Sequence, residues 1–241
     1  MSRLVDTHFH LDFYKNHSEI YEKINNLGQY TLCMTNSPGV YLSCKNLYSE
    51  TKYIKFALGF HPLEATLKDR NFADFISLSR DANYIGEIGL DFSRTSALSK
   101  DKQIDYFERI VKMCAEKNKL MSLHLRKSED DAIRIIRNYK PKKCIIHWFT
   151  GTTEHLNAFV ELGCFFSINT NMIKTTTGCD KTKKIPLNRI LLESDGPFTK
   201  AASKRFSPEL LLNAYGEISD SIDEPNLVDI VYGNFREILE L

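Results

Sequence analysis

The strongest constraint on the fold is a regular alternation, along the whole chain, of short apolar segments with longer amphipathic ones. The apolar segments have the length and composition of buried β-strands. Eight can be assigned, at residues 4–9, 30–35, 53–60, 84–90, 120–124, 144–149, 164–168 and 189–193. Repeated β–α units predict a parallel sheet covered by helices. Eight of them in 241 residues predict an α/β fold of the (β/α)8 TIM-like barrel type.

The amphipathic segments supply the helices of this predicted barrel. The clearest lie at residues 18–27, 98–118, 128–139 and 153–162, with two more near 208–218 and 225–239. Their apolar residues recur three and four positions apart, as on the face of a helix that packs on a sheet. The segment after the seventh strand, residues 169–184, is polar, which predicts an irregular seventh helix. No linker divides the chain, so one domain over residues 1–241 is expected.

Composition excludes several classes of protein. No apolar run approaches the ~18 residues that span a bilayer, and no signal peptide is evident, so a soluble cytoplasmic protein without a membrane partner is expected. A net charge of +1 argues against a protein that coats nucleic acid by bulk electrostatics. The six cysteines include no C-x-x-C pair, which argues against a zinc site of clustered thiolates.

Side chains that can bind metal recur where the predicted strands end. They include five of the seven histidines and three carboxylates: His8, His10, His61, Glu87, Asp91, His124, His147 and Asp195. The carboxyl ends of all strands in such a barrel meet at one face, where active sites lie. A single histidine there is more often a hydrogen-bonded core residue. Eight such groups at one rim favour a metal site, because burying them unpaired would be costly.

The first strand carries two of these histidines on one face. Asp6, His8 and His10 alternate along the segment DTHFH, so their side chains point the same way. Two imidazoles on one face can clamp a metal ion. Asp6 is expected to support the two histidines from beside them.

The predicted ligands suffice for two divalent ions if one carboxylate bridges them. Glu87 is the natural bridge, because the fourth strand lies about halfway round the barrel from the first. One ion would use His8, His10, Glu87 and Asp195, and the other would use Glu87, His124 and His147. Two ions and two carboxylates leave a charge of about +2, which favours an anionic substrate such as a phosphodiester.

Together the motifs resemble those of the TatD-like metal-dependent deoxyribonucleases, within the amidohydrolase-like superfamily. The resemblance extends in order over nearly the whole chain, through residues 6–11, 59–62, 86–91, 124–126, 147–151 and 192–197. It implies a metal-dependent deoxyribonuclease that hydrolyses phosphodiester bonds of DNA, as an exonuclease acting on single strands or ends. It also implies two divalent ions, Mg²⁺, Mn²⁺ or Zn²⁺.

The resemblance assigns roles to individual residues. The implied metal ligands are His8, His10, Glu87, His124, His147 and Asp195. Glu87 and Asp195 would be catalytic, with Glu87 bridging the ions and Asp195 accepting a proton from the attacking water. His61 and Arg126 match positions on the substrate side.

Three segments suggest the biological context of the protein, and a fourth departs from the family pattern. The segments HLDFY, HWFTG and LLESDGPF most resemble the TatD-like subunit of the Qat anti-phage defence system, which implies protein partners from that system. In contrast, residues 198–209, FTKAASKRFSPE, depart from the family's usual PYRGKRNEP-like segment. The family's way of gripping its substrate therefore cannot be transferred to this segment.

Two alternative functions remain open at this stage. One is an amidohydrolase-type enzyme acting on an amide, ester or aminoacyl bond, although Glu87 stands where many such enzymes have a carboxylated lysine. The other is a defence subunit with weak intrinsic activity that depends on partners.

Among the aromatic residues, alternation predicts that Trp148 points toward the helices. Phe13, Phe92 and Phe198 are candidates for stacking on unpaired bases.

Overall fold

The computed structural model describes residues 3–64 and 69–241 and contains the predicted parallel strands, which form two sheets. The strands are β1 (Val5–Phe9), β2 (Tyr30–Cys33), β3 (Ile54–Phe56), β4 (Leu58–Phe60), β5 (Tyr84–Asp91), β6 (Leu120–Arg126), β7 (Cys144–His147), β8 (Phe165–Ile168) and β9 (Ile190–Leu192). They pair in chain order as β1–β2–β3 and as β4–β5–β6–β7–β8–β9. A short antiparallel hairpin follows, formed by β10 (Lys200–Ala201) and β11 (Lys204–Arg205).

The third predicted strand is divided into β3 and β4, with Ala57 between them. β3 pairs with β2 and β4 pairs with β5, so one continuous stretch of chain joins the two sheets. At the opposite junction, the backbone N–H of Asp195 donates to the carbonyl of His8, and that of His10 donates to the carbonyl of Gly196, both at 2.9 Å. The strands therefore follow one another around a barrel, and the predicted fold class is confirmed.

Helices connect and cover the strands. They are α1 (His17–Leu27), α2 (Pro38–Leu47), α3 (Asp69–Leu78), α4 (Lys100–Glu116), α5 (Glu129–Tyr139), α6 (Thr153–Glu161), α7 (Thr176–Lys183), α8 (Leu211–Ile222) and α9 (Leu227–Glu240). Of these, α2 and α3 were not predicted from the sequence. The seventh helix, α7, is short but regular, and the Thr175 side chain caps its first turn by accepting from Gly178. The irregular part is limited to the turn that precedes it.

The helices are held by apolar faces buried against the strands. In α4 the buried side chains include Phe107, Ile110 and Val111, which follow the predicted helical spacing. No helix in the described ranges is long and apolar enough to cross a membrane. The expectation of one domain over residues 1–241 includes positions outside those ranges and stays a prediction.

Strand register places the site residues side by side. His124 of β6 pairs with His147 of β7, and with Gly89 of β5 on its other side. Gly89 has a φ of 150°, and a Cβ there would lie 1.9 Å from the carbonyl oxygen of His124. Only glycine can occupy this position, because the two backbones meet where a side chain would begin.

Candidate metal centre

Glu87 lies at the centre of the histidines, and each of its two carboxylate oxygens faces a different group. Oε2 is 3.5 Å from Nε2 of both His8 and His10. Oε1 is 2.8 Å from Nδ1 of His124 and 3.6 Å from Nε2 of His147. A carboxylate that presents one oxygen to each of two imidazole groups has the geometry of a bridging ligand.

Asp195 completes the group around the first strand. Its Oδ1 lies 3.5 Å from Nε2 of His10 and 3.9 Å from Nε2 of His8. The residue has a φ of 48°, in the left-handed region that aspartate tolerates better than most residues. This turn follows β9 directly, and it brings the carboxylate back over the end of the neighbouring β1.

Two of the histidine rings are hydrogen-bonded through Nδ1, the nitrogen that points away from the centre. Their Nε2 atoms, which point into the centre, remain available to a metal ion. Nδ1 of His8 lies 3.0 Å from the hydroxyl of Ser122, and Nδ1 of His147 lies 2.7 Å from Oε2 of Glu193. With the proton of each ring on Nδ1, each Nε2 carries a lone pair. Such carboxylate or hydroxyl partners orient metal-binding histidines in many proteins.

Burial and neighbouring charged groups together set the pKa values in the centre. It lowers the pKa of His8 and of His147, which keeps both rings neutral. Burial alone would raise the pKa of Glu87, but the imidazoles of His61 and His8 and the hydrogen bond with His124 hold it well below its usual range. Burial raises the pKa of Asp195, and the negative charges of Glu193 and Glu87 add to this effect.

These residues fit divalent metal ions. Neutral imidazoles and carboxylates are the ligands that such ions take in catalytic sites. The Nε2 atoms of His8 and His10 are 3.1 Å apart. In a tetrahedral site with bonds of ~2.0–2.1 Å, two ligand atoms lie about 3.3 Å apart, which is close to this separation.

His147 lies between the two predicted ligand sets, because its ring also stacks on that of His8, with the ring centroids 3.7 Å apart.

His124 is held from both sides by carboxylates. Its Nε2 lies 3.0 Å from Asp91, and its Nδ1 lies close to Glu87. These hydrogen bonds outweigh burial and raise the pKa of His124. Asp91 can keep a proton on Nε2, which would leave Nδ1 for an ion.

His61 lies in the same cluster, but its ring proton is on a different nitrogen from the ring protons of His8 and His147. Its Nε2 lies 3.7 Å from Oε1 of Glu87. The backbone N–H of Leu63 donates to its Nδ1 at 3.2 Å, so the neutral ring carries its proton on Nε2. Burial lowers the pKa of His61 to about 4, which keeps the ring neutral. His61 therefore presents a hydrogen-bond donor to the cleft.

Arg126 and Trp148 lie together along the cleft. Nη1 of Arg126 donates to the carbonyls of Leu125 and Trp148, each at 2.9 Å, and the guanidinium lies over the Trp148 ring at 5.6 Å. The prediction that Trp148 points toward the helices was wrong. β7 ends at His147, and the φ of 41° at Trp148 breaks the alternation and turns the half-buried ring to line the cleft.

Asp6 contacts the histidine segment through the backbone. Its carboxylate accepts hydrogen bonds from the backbone N–H of His8 and from the N–H and hydroxyl of Ser194. It therefore ties β1 to the segment that carries Asp195, and it holds the backbone of His8 rather than an imidazole ring. Burial raises the pKa of Asp6 to about 7.

The cleft above the cluster has a volume of about 460 Å³. Its lining includes residues that were not predicted from the sequence, among them Asn36 and Arg94. Ser122, the partner of His8, was also missed, although it lies two residues before His124 on the same strand face. Asn36 follows shortly after β2, a strand end to which no site residue had been assigned.

Comparison with known proteins identifies the family of this chain. The family described as TatD related DNase matches residues 5–240 of the chain. The chain belongs to this family. A metal-dependent hydrolase, BU355 of Buchnera aphidicola, is 27% identical over 267 residues, which cover 99% of each protein. The deoxyribonuclease Tat-D of Schizosaccharomyces pombe is 34% identical over 116 residues, 47% of this chain and 37% of that one.

Solved structures of the TatD family share the fold. The crystal structure of YJJV, a TatD homolog from Escherichia coli, matches with a TM-score of 0.86 at 21% identity, over 99% of this chain and 98% of that one. A TatD family hydrolase from Entamoeba histolytica matches with a TM-score of 0.79. The predictions of the family and of a metal-dependent hydrolase that acts on ester bonds are confirmed.

Glu193 provides a test of how the centre is positioned. Its buried carboxylate accepts from His147, from Asn169 at 2.7 Å and from Ser167. Glu193→Gln removes the negative charge that holds the Nδ1 proton of His147, and its NH₂ group must face a donor whichever way the amide is turned, so we expect His147 to be held less firmly. Metal affinity should then fall about 10- to 100-fold.

The measurement for Glu193→Gln is the metal concentration that gives half-maximal activity and half-maximal thermal stabilisation. Both should rise, and excess metal should restore much of the activity. Glu161→Gln, at the exposed end of α6, is the matched control. An unchanged metal dependence would contradict a positioning role for Glu193.

Proposed function

We propose that this protein is a deoxyribonuclease that hydrolyses phosphodiester bonds of single-stranded DNA or DNA ends with two divalent ions, Mg²⁺, Mn²⁺ or Zn²⁺. The observation that carries the proposal is the division of the two Glu87 oxygens between two groups of imidazoles. Membership of the TatD related DNase family supports the same reaction.

In this proposal each side chain of the centre has a separate task. His8, His10 and Asp195 would hold one ion, His124 and His147 would hold the other, and Glu87 would bind both. The ions supply charge stabilisation for the phosphoryl oxygens and acidify water. The Asp195 carboxylate, at the end of β9, accepts the proton of the attacking water.

In this proposal two further side chains bind the substrate phosphate. His61 offers its Nε2 proton, because the N–H of Leu63 occupies Nδ1. Arg126 uses Nη1 for two backbone carbonyls, and its Nε and Nη2 have no protein partner in the described part of the chain. Guanidinium donors pair well with phosphate oxygens.

The experiment is a cleavage assay on the purified protein with end-labelled single-stranded DNA. Cleavage is expected with at least one of Mg²⁺, Mn²⁺ and Zn²⁺ and should be abolished by EDTA and by His8→Ala. Parallel assays with amide, carboxyl-ester and aminoacyl substrates test the amidohydrolase alternative. Hydrolysis of one of these without DNA cleavage, or binding to a protein partner without any hydrolysis, would contradict the nuclease.

The hairpin of β10 and β11 replaces the family's usual segment, and we expect it to contact the DNA backbone. It presents three exposed cations, Lys200, Lys204 and Arg205, just after Phe198 at the cleft. Changing all three to Gln should weaken DNA binding and reduce its salt dependence. The slope of log K against log salt should shrink by about 0.7 for each phosphate of a single strand that these cations neutralise.

A matched control separates this local effect from total charge. Lys112, Lys117 and Lys142 are also exposed, and they lie on or after the outer helices. Their replacement by Gln removes the same charge and should leave the salt slope unchanged. Equal effects from both triple variants would show that only net charge matters.

A role in anti-phage defence is part of the proposal, supported by the segments HLDFY, HWFTG and LLESDGPF. We place the enzyme in the cytoplasm, where phage DNA would be encountered, with defence-system proteins as partners. The test is the plating efficiency of phages on a host that carries the native locus. Protection should be lost with Asp195→Ala, and protection that persists would contradict a catalytic role in defence.

A further inference from the structure

Two exposed phenylalanines lie together at the mouth of the metal centre. Phe13 and Phe198 are 43% and 51% exposed. Their rings meet edge to face, with centroids 4.9 Å apart and planes at 68°. The other large apolar side chains in the described ranges with comparable exposure are all leucines. We call Phe13 and Phe198 the aromatic pair.

The aromatic pair is attached to the centre itself. The centroid of His10 lies 5.5 Å from that of Phe13 and 5.4 Å from that of Phe198, and both contacts are edge to face. The backbone N–H of Phe198 also donates to the carbonyl of Asp195 at 2.8 Å. A group that packs on the pair is therefore held directly beside two of the proposed metal ligands.

The surroundings of the pair carry positive charge. Arg94 and Arg126 line the same cleft, and the exposed cations of the β10–β11 hairpin begin two residues after Phe198. Flat aromatic faces combined with cations are how proteins bind unpaired nucleotides, because the ring stacks on a base while the cations contact phosphates. This combination favours a nucleobase over an apolar protein segment as the occupant.

We propose that the aromatic pair is a stacking corner for one exposed base next to the scissile phosphate. This inference rests on the proposed nuclease function and names the feature that selects the substrate. Inside a duplex both faces of a base are covered by its neighbours, so the corner accepts a base only from a single strand or a DNA end. Double-stranded interiors are therefore poor substrates.

The test measures DNA binding by fluorescence anisotropy in an Asp195→Asn background with Mg²⁺, so that the strands stay intact. The probes are single strands that carry one abasic residue at successive positions from the end. With the pair intact, one abasic position should weaken binding roughly 5- to 100-fold. Phe13→Ala with Phe198→Ala should weaken binding of the normal strand by the same factor and abolish the positional effect.

Further variants make the result specific. Phe13→Tyr with Phe198→Tyr keeps both aromatic faces and should restore positional discrimination. Leu187→Ala with Leu212→Ala, which removes exposed side chains elsewhere, should have no effect. The inference is overturned if no abasic position matters in the parent, or if the double Ala variant keeps the same discrimination. Because binding is measured without turnover, this outcome is distinct from failure of the wild-type protein to cleave DNA.

Discussion

Glu87→Gln should abolish hydrolysis and most metal binding while leaving the fold intact. The amide has the shape of the carboxylate, but it carries no charge and offers only one oxygen to the two groups of imidazoles. Loss of the shared ligand should reduce kcat by at least about 10³-fold, since charge stabilisation by bound ions contributes several kcal/mol to such reactions.

Metal binding itself provides a readout of Glu87→Gln that does not depend on turnover. In the wild-type protein, each bound ion should stabilise the fold by about 2.7 kcal/mol when the metal is at about 100 times its Kd. For a chain of this size each ion should raise Tm by roughly 5–10 °C. We expect the variant to lose most of this rise and to bind fewer than two ions per chain by elemental analysis.

Controls distinguish loss of the bridge from loss of folding. The circular dichroism of metal-free Glu87→Gln should match that of the wild-type protein. Glu161→Gln, far from the centre on α6, should retain both the metal-induced rise in Tm and full activity. If Glu87→Gln binds two ions and turns over normally, then Glu87 does not bridge, and the proposed arrangement fails.

Most of the fold could be predicted because the signals for it are local. Strand and helix periodicity together with length identified the barrel, and the strand ends identified the residues that the structure gathers around Glu87. The division of the third strand at Ala57 was not predictable in this way. β3 and β4 pair with different partners, and the apolar run from 53 to 60 contains no local sign of the change.

The errors at the site arise where the chain leaves regular geometry. Alternation predicts side-chain direction only within a strand, and Trp148 lies one residue beyond β7 with a positive φ. Asp6 was expected to support the histidines and does accept from the backbone N–H of His8, but its second partner, Ser194, is 188 residues away in the chain and was not predicted. Contacts at that separation depend on how β1 and β9 meet, which periodicity does not determine.

The sequence also could not predict which ring nitrogen of His61 carries the proton. A histidine at a strand end resembles a ligand in sequence, and the structure does bring it within 3.7 Å of Glu87. What separates its role from that of His8 is the hydrogen bond from the N–H of Leu63 in the turn that follows β4. Such a bond depends on local turn geometry that residue type alone does not reveal.

Asp195→Asn should slow the chemical step while leaving DNA binding largely intact. The carboxylate lies 3.5 Å from Nε2 of His10, and in the proposed mechanism it accepts the proton of the attacking water. The amide cannot accept that proton, so kcat should fall about 10²- to 10⁴-fold. KM for single-stranded DNA should change little, because the proposed phosphate contacts of His61 and Arg126 remain.

The contrast with Glu87→Gln tests the division of tasks between the two carboxylates. Because Glu87 still joins the two groups of imidazoles, Asp195→Asn should retain the ion held by His124 and His147 and part of the metal-induced rise in Tm. Asp74→Asn, at an exposed position on α3, is the matched control and should behave as wild type. If Asp195→Asn loses all metal binding, the carboxylate is needed to assemble both sites. If instead kcat is unchanged, the proton acceptor must be another group at the rim.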